Sequence, residues 1–223
     1  IFVHFHYLVN LHCLPCQQLL KEHFLLAKQL LSTKQAASMW QHTVAILVGG
    51  QSIRMGAPKH SVELPNGNTM LEEMIQFAAS TATSTVFVGG EIEGIDTIKD
   101  LRFQQGPVAG IEALLASGID ESYLLVGCDM PNLNSEHVLA LLQCDGNAVF
   151  QIEDRLLCLP LKVNANALSS CSTYLDSGKR SINGFLAELP HTCILLPESE
   201  SQYYLSMNTP NDLDNLSIEM GSS

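Results

Sequence analysis

Basic residues are scarce in this sequence: 11 Lys and Arg stand against 23 Asp and Glu, a formal net charge of −12. So few cations cannot neutralise a run of phosphates, which argues against nucleic acid as a partner. Charge of either sign is thin, at 15% of residues, whereas 46% are apolar. That balance excludes a disordered chain and suits a packed core. Long apolar runs are missing: none reaches the roughly 18 residues of a membrane span. The N-terminus lacks the basic n-region of a signal peptide. The seven cysteines are odd in number and irregularly spaced in a chain too large to need disulfides. Reduced thiols in a cytoplasmic protein, with no membrane partner, are the simplest reading. No internal repeat or low-complexity tract appears. The 223 residues give room for one α/β domain and a little extra.

The extra falls at the front. Residues 1–38 contain no glycine and hold His4, His6 and His12 beside the pair Cys13 and Cys16. A CxxC with nearby histidines invites a zinc reading, but a second ligand pair at metal spacing is missing. Leu20, Phe24, Ala27 and Leu31 recur at helical spacing, widened by Leu19, Leu26 and Leu30, so residues 17–34 are expected to be helical. The segment reads as an N-terminal extension, with Met39 opening the main module over 39–223.

That module is organised around residues 44–62, VAILVGGQSIRMGAPKHSV. A short β-branched run over 44–48 that stops at Gly49-Gly50 is the pattern of a buried strand. Glycines straight after such a strand let the backbone approach a ligand with its N–H groups turned inward. Arg54 and Lys59 in the following loop suit a polyanionic ligand, and a triphosphate fits. The order is neither GxxxxGK[ST] nor GxGxxG. An acidic protein that takes an anionic nucleotide needs its few cations gathered at the site, or a divalent metal.

Downstream, Thr69 and Glu72 form a capping box that predicts a helix over 70–80. Strands are expected at 85–88, 97–100, 123–126, 193–196 and 204–207, with a hairpin of 148–152 and 155–163 turning at Glu153-Asp154. Further helices are expected at 111–116, 165–175 and 182–189. Gly106-Pro107-Val108-Ala109-Gly110 reads as a loop at a helix N-terminus where a ligand can lie close. Asp129, in Cys128-Asp129-Met130-Pro131, sits at the end of a strongly apolar strand. Ligands of open α/β sheets bind at that edge, and a carboxylate is a hard oxygen donor suited to Mg²⁺. A helix cap is the alternative for Asp129, although Ser135 is better placed for it. Lys179 and Arg180 are either solvated or contact the phosphate of a second substrate. Asn208 is a turn residue or a ligand contact, and Thr209-Pro210 opens a closing helix through Leu216. Alternating strands and helices predict a mostly parallel sheet covered on both faces.

Taken in order, these motifs resemble the molybdenum cofactor guanylyltransferase family. The match is Leu47-Val48-Gly49-Gly50 with Arg54-Met55-Gly56 and Lys59, then Asp100, Gly106 to Gly110, Cys128-Asp129-Met130-Pro131, and Asn208-Thr209-Pro210-Asn211-Asp212-Leu213. It covers about residue 43 to the C-terminus. The resemblance implies a three-layer α/β/α, Rossmann-like nucleotidyltransferase fold. It implies GMP transfer from GTP to the phosphate of molybdenum-bearing molybdopterin, with Mg²⁺ and release of pyrophosphate. Molybdopterin-handling proteins or molybdoenzyme chaperones are the implied protein partners. The implied catalytic residues are Arg54, Lys59 and Asp129, with Asp129 the metal ligand. Leu47, Gly49, Gly50, Arg54, Lys59, Asp100, Gly106, Gly110, Asp129 and Asn208 would bind the nucleotide, Asp100 on its guanine side. Pro58 before the loop lysine and Gly89-Gly90-Glu91 after the second strand depart from the family pattern. They keep open a cytidylyltransferase or other nucleotidyltransferase acting on a phosphorylated acceptor. A non-catalytic nucleotide-binding module is the remaining alternative.

Overall fold

The computed structural model describes residues 42–49, 58–209 and 212. Their centre is a seven-stranded sheet of β1 (Thr43–Leu47), β2 (Ser84–Val88), β3 (Thr97–Ile98), β4 (Ser122–Gly127), β5 (Ala148–Ile152), β6 (Arg155–Asn164) and β7 (Thr192–Leu196). The spatial order is β3-β2-β1-β4-β6-β5-β7. β1 pairs in parallel with β2 and β4, β2 with β3, and β5 with β7. Only β6 runs against its neighbours, β4 and β5. A hairpin, not a crossover helix, returns the chain after β5, and a two-residue turn can only reverse direction. Glu153 at that turn adopts φ +50°.

The side-chain period of two sorts β1 onto opposite faces. Val44 and Ile46 join Leu124, Val126 and Phe150 in one apolar layer. That layer is covered by α1 (Met70–Thr81) and α3 (Ser135–Gln143). Ala45 faces the other way, with Tyr123, Leu125, Leu161 and Val163. Over them lie α2 (Pro107–Ala116), α4 (Leu168–Asp176) and α5 (Ile182–Glu188). The result is the expected three-layer α/β/α Rossmann-like arrangement. Among the described residues no helix is long and apolar enough to cross a membrane.

Local chemistry sets the helix starts. Thr69 accepts a hydrogen bond from the Glu72 amide while Glu72 accepts one from the Thr69 amide. This reciprocal cap contributes about 1 kcal/mol. α3 is capped by Asn134 rather than Ser135, because Asn134 Oδ1 accepts from the amides of both Glu136 and His137. α2 begins at Pro107, four residues before the expected start, since proline is preformed for the first helical position. Gly106, at φ +75°, turns the chain into it. Residues 165–175 split into a 3₁₀ turn at Ala165–Ala167 and then α4. The strand expected at 204–207 does not form; a 3₁₀ segment occupies Glu198–Tyr204 and an extended loop comes after it. Tyr204 is held instead by a side chain, its hydroxyl lying 2.7 Å from Nδ1 of His137. The strand expected at 97–100 stops at Ile98, so Asp100 falls in the loop beyond it.

Candidate active site

β1, β2 and β4 end together: Leu47 is in register with Val88 on one side and Gly127 on the other. The backbone stays tied for one residue more, Val48 N donating to Val88 O (3.0 Å) and Cys128 N to Leu47 O (3.1 Å). The loops that leave these strands therefore project from one edge of the sheet, and they carry Gly49, Gly89-Gly90 and Asp129. A Cβ at Gly90, whose φ is +59°, would lie 3.0 Å from Val48 O, so only glycine lets the β1 and β2 loops touch there.

Lys59 reaches this edge from a single 3₁₀ turn, Lys59–Ser61, closed by Ser61 N and Oγ on the Pro58 carbonyl. Its Nζ lies 2.5 Å from Asp129 Oδ2 and 2.6 Å from Asn208 Oδ1. Both charged side chains are largely covered, with exposures of 24% and 17%. Asn208 is delivered by the loop after Tyr204: Met207 N donates to Asp129 O (2.8 Å), and the amides of Asn208 and Thr209 both donate to Asp212 Oδ2 (2.8 Å each). Those backbone bonds hold the Asp212 carboxyl below the usual range. Asp212 belongs to the Asn208–Leu213 motif, yet its task, fixing the backbone that carries Asn208, is visible only once the turn is folded.

On the other side of the strand ends, Asp100 lies against the start of α2. A Cβ at Gly110 would sit 3.2 Å from Val88 Cγ1, 3.5 Å from Asp100 Oδ1 and 3.6 Å from Leu47 Cδ2. A Cβ at Gly89 would be 3.6 Å from the same Asp100 oxygen. Glycine on both sides lets the start of α2 and the β2 loop pack close to the carboxylate, which stays exposed. Asp100 has no hydrogen bond or ion pair among the described residues, and loss of water around it raises its pKa.

Of the residues singled out from sequence, Leu47, Gly49, Lys59, Asp100, Gly106, Gly110, Asp129 and Asn208 border this edge or its loops. Gly50 and Arg54 lie outside the described residues, as do 1–41 and the helix expected from Pro210. Gly106 stands slightly apart, its Cβ position 3.4 Å from the carbonyl of Arg180. Lys179 pairs with Glu188, both half exposed, and Arg180 Nη1 donates to the carbonyls of Leu175 and Lys179. Neither cation reaches the Lys59 cluster by any such contact. Burial and the neighbouring Asp129 push the Cys128 thiol up to about 12. It is therefore no nucleophile at neutral pH.

The sequence profile of the MobA-like NTP transferase domain matches residues 44–192. A molybdenum cofactor guanylyltransferase of Xanthomonas euvesicatoria pv. vesicatoria is 26% identical over 178 residues, 78% of this chain and 93% of that one. A probable molybdenum cofactor guanylyltransferase of Flavobacterium johnsoniae is 25% identical over 186 residues, 80% of this chain and 97% of that one. Among solved structures, molybdopterin-guanine dinucleotide biosynthesis protein A from Archaeoglobus fulgidus superposes with a TM-score of 0.66 at 24% identity. It covers 81% of this chain and 100% of its own, a likeness of fold.

Proposed function

The chain belongs to the MobA-like NTP transferase family, and from that premise we propose that it transfers GMP from GTP to the terminal phosphate of molybdenum-bearing molybdopterin, releasing pyrophosphate. The observation that carries this reading is the meeting of Lys59, Asp129 and Asn208 at the strand edge whose glycines also pack against Asp100. The names of the relatives supply the acceptor and the base.

In this reaction a phosphate oxygen of the pterin forms a bond to the α-phosphorus, and the bond from that phosphorus to the bridging oxygen of pyrophosphate breaks. No protein nucleophile is needed, so catalysis is positioning and charge neutralisation. Lys59 brings a cation to the phosphates, pre-aimed by two oxygen partners rather than swinging freely from its four-carbon stem. Arg54, from the same loop, adds a second. Gly49 and Gly50 let the loop backbone close on the phosphates, and Leu47 and Gly110 bound the nucleoside. Asp100 accepts hydrogen bonds from the guanine side. Asn208 Oδ1 accepts from the Lys59 ammonium and holds it in place.

The donors fit a divalent metal of the kind that nucleotides carry. Among the described residues no three His, Cys, Asp or Glu side chains cluster, so an all-protein cage is not formed. Asp129 is a single carboxylate at the strand edge, and Mg²⁺ commonly takes one carboxylate, phosphate oxygens and water. Asp129 would hold it. When bound, the ion offsets phosphate charge and aligns the α-phosphate with the departing pyrophosphate. A reduced, cytoplasmic setting suits this chemistry.

The test is calorimetric titration with GTP and CTP, each with and without Mg²⁺, then assay with the pterin acceptor. GTP binding with CTP silent, and pyrophosphate release that needs the pterin, is the expected result. Preference for CTP would transfer the proposal to the cytidylyl branch, which the Pro58-Lys59 turn and Gly89-Gly90-Glu91 keep open. Binding with no turnover would indicate a non-catalytic module.

A further inference from the structure

The loop over 99–105, which carries Asp100, has almost no apolar anchor. Its two large hydrophobic side chains point outward, Leu101 at 65% exposure and Phe103 at 84%. What fastens it is Arg102. The guanidinium makes a two-pronged contact with Glu112 of α2, Nε to Oε2 at 2.7 Å and Nη2 to Oε1 at 2.8 Å. Its remaining arm, Nη1, reaches Asp176 at the end of α4 (2.5 Å). Glu112 is buried, at 4% exposure, and also accepts from the Ser172 hydroxyl (2.7 Å). Burial works to raise its carboxyl, but Arg102 and Ser172 outweigh that and keep it below the usual range.

Arg102 stands two residues after Asp100, and Glu112 two residues after Gly110. The clamp and the approach of Asp100 to Gly110 are thus neighbouring contacts of the same loop with the same helix. We propose that Arg102, locked onto Glu112, is the positioning residue that sets Asp100 for reading the nucleotide base. The inference rests on the guanylyl-transfer reading above. It assigns base selectivity to a pair that never touches the nucleotide. A forked guanidinium fixes distance and plane together, which a lysine ammonium does not. Loosening it lets Asp100 drift from Gly110 and Gly89 while the sheet edge and Lys59 stay put.

The experiment measures the affinity of the full chain for GTP, CTP and ATP with Mg²⁺, in the wild type, Arg102→Lys, Asp100→Ala and the double variant. Arg102→Lys should weaken GTP about tenfold, the scale of one charge-assisted contact. It should also narrow the GTP-to-CTP ratio, and the double variant should bind no worse than Asp100→Ala alone, because both act through one carboxylate. Asp176→Asn trims the exposed arm without stranding Glu112, and should give a smaller shift of the same sign even if Arg102→Lys folds poorly. Unchanged affinity and ratio in both clamp variants, with only the melting temperature lowered, would reduce the pair to a structural brace. A double variant weaker by the full product of the singles would overturn action through Asp100. Wild-type preference for CTP would defeat the guanylyl reading yet leave the clamp to be judged by the same comparison on CTP. Absence of any nucleotide binding would sink both.

Discussion

Lys59 carries more of the site than any other described side chain, because it joins three separate stretches of chain through one ammonium. Lys59→Met keeps much of its apolar stem and removes the charge. Phosphoryl-type transfer should then fall by about two orders of magnitude or more, while far-ultraviolet circular dichroism stays as in the wild type. Asp100 gives a second prediction, one of pH. Its folded pKa is raised by desolvation, and the proposed acceptor role needs the ionised form. Nucleotide affinity should therefore fall with acidification at a pH above the ordinary aspartate value of about 3.9. Stability goes the other way: a raised carboxyl contributes most below its unfolded pKa and loses that contribution as pH rises. Titration of affinity should show this fall in the wild type and not in Asp100→Asn, and the stability of the wild type relative to Asp100→Asn in urea should drop as pH rises. Asp129 can be marked from sequence because it closes an apolar strand and Lys59 because it is a cation in the loop after Gly49-Gly50, whereas Asp100 is marked only by the family resemblance. Arg102 and Glu112 cannot, since an Arg in a polar loop and a Glu in a helix look like surface charge until the fold pairs them.

Elements are legible wherever a local device fixes them. The Thr69–Glu72 box, the β5–β6 hairpin and the Ser181 cap of α5 all act within a few residues. Boundaries shift where two local devices compete, as with Asn134 against Ser135 and Pro107 against Ile111. The apolar pattern around residue 204 imitates a strand because it serves side-chain packing on α3, not pairing with a neighbour. Lys162 is an element-scale case that the sequence hides. It lies on β6 at 6% exposure, and its hydrogen bonds among the described residues go to backbone carbonyls rather than to a carboxylate. Its Nζ donates to the Leu142 carbonyl at 3.1 Å and to that of Cys144. These carbonyls sit at the C-terminal end of α3, the end that favours a cation. Lys162→Met should cost about 1–3 kcal/mol by stranding those carbonyls, read as a lower urea midpoint with nucleotide affinity little changed.

For the molecule as a whole, class and layering come from alternation, but the order of strands does not. Nothing local states that β4 lies between β1 and β6; that is decided by which faces find apolar partners. The family profile begins at residue 44, and we expect a chain lacking residues 1–38 to remain soluble and to bind nucleotide as the full chain does, by gel filtration and titration. Insolubility of the shortened chain would mean that the segment belongs to the module.

Lys59 and Asn208 lie 149 positions apart, and Asn208 comes after β7, the last strand among the described residues. Domains are completed as the chain emerges from its N-terminus, so a chain still on the ribosome can hold all seven strands and an unfinished site. A stop codon or protease cut just before residue 208 would leave a sheet with every strand present and the Asn208 contact to Lys59 unmade. Synthesis through residue 208 thus separates completing the sheet from completing the Lys59 contact.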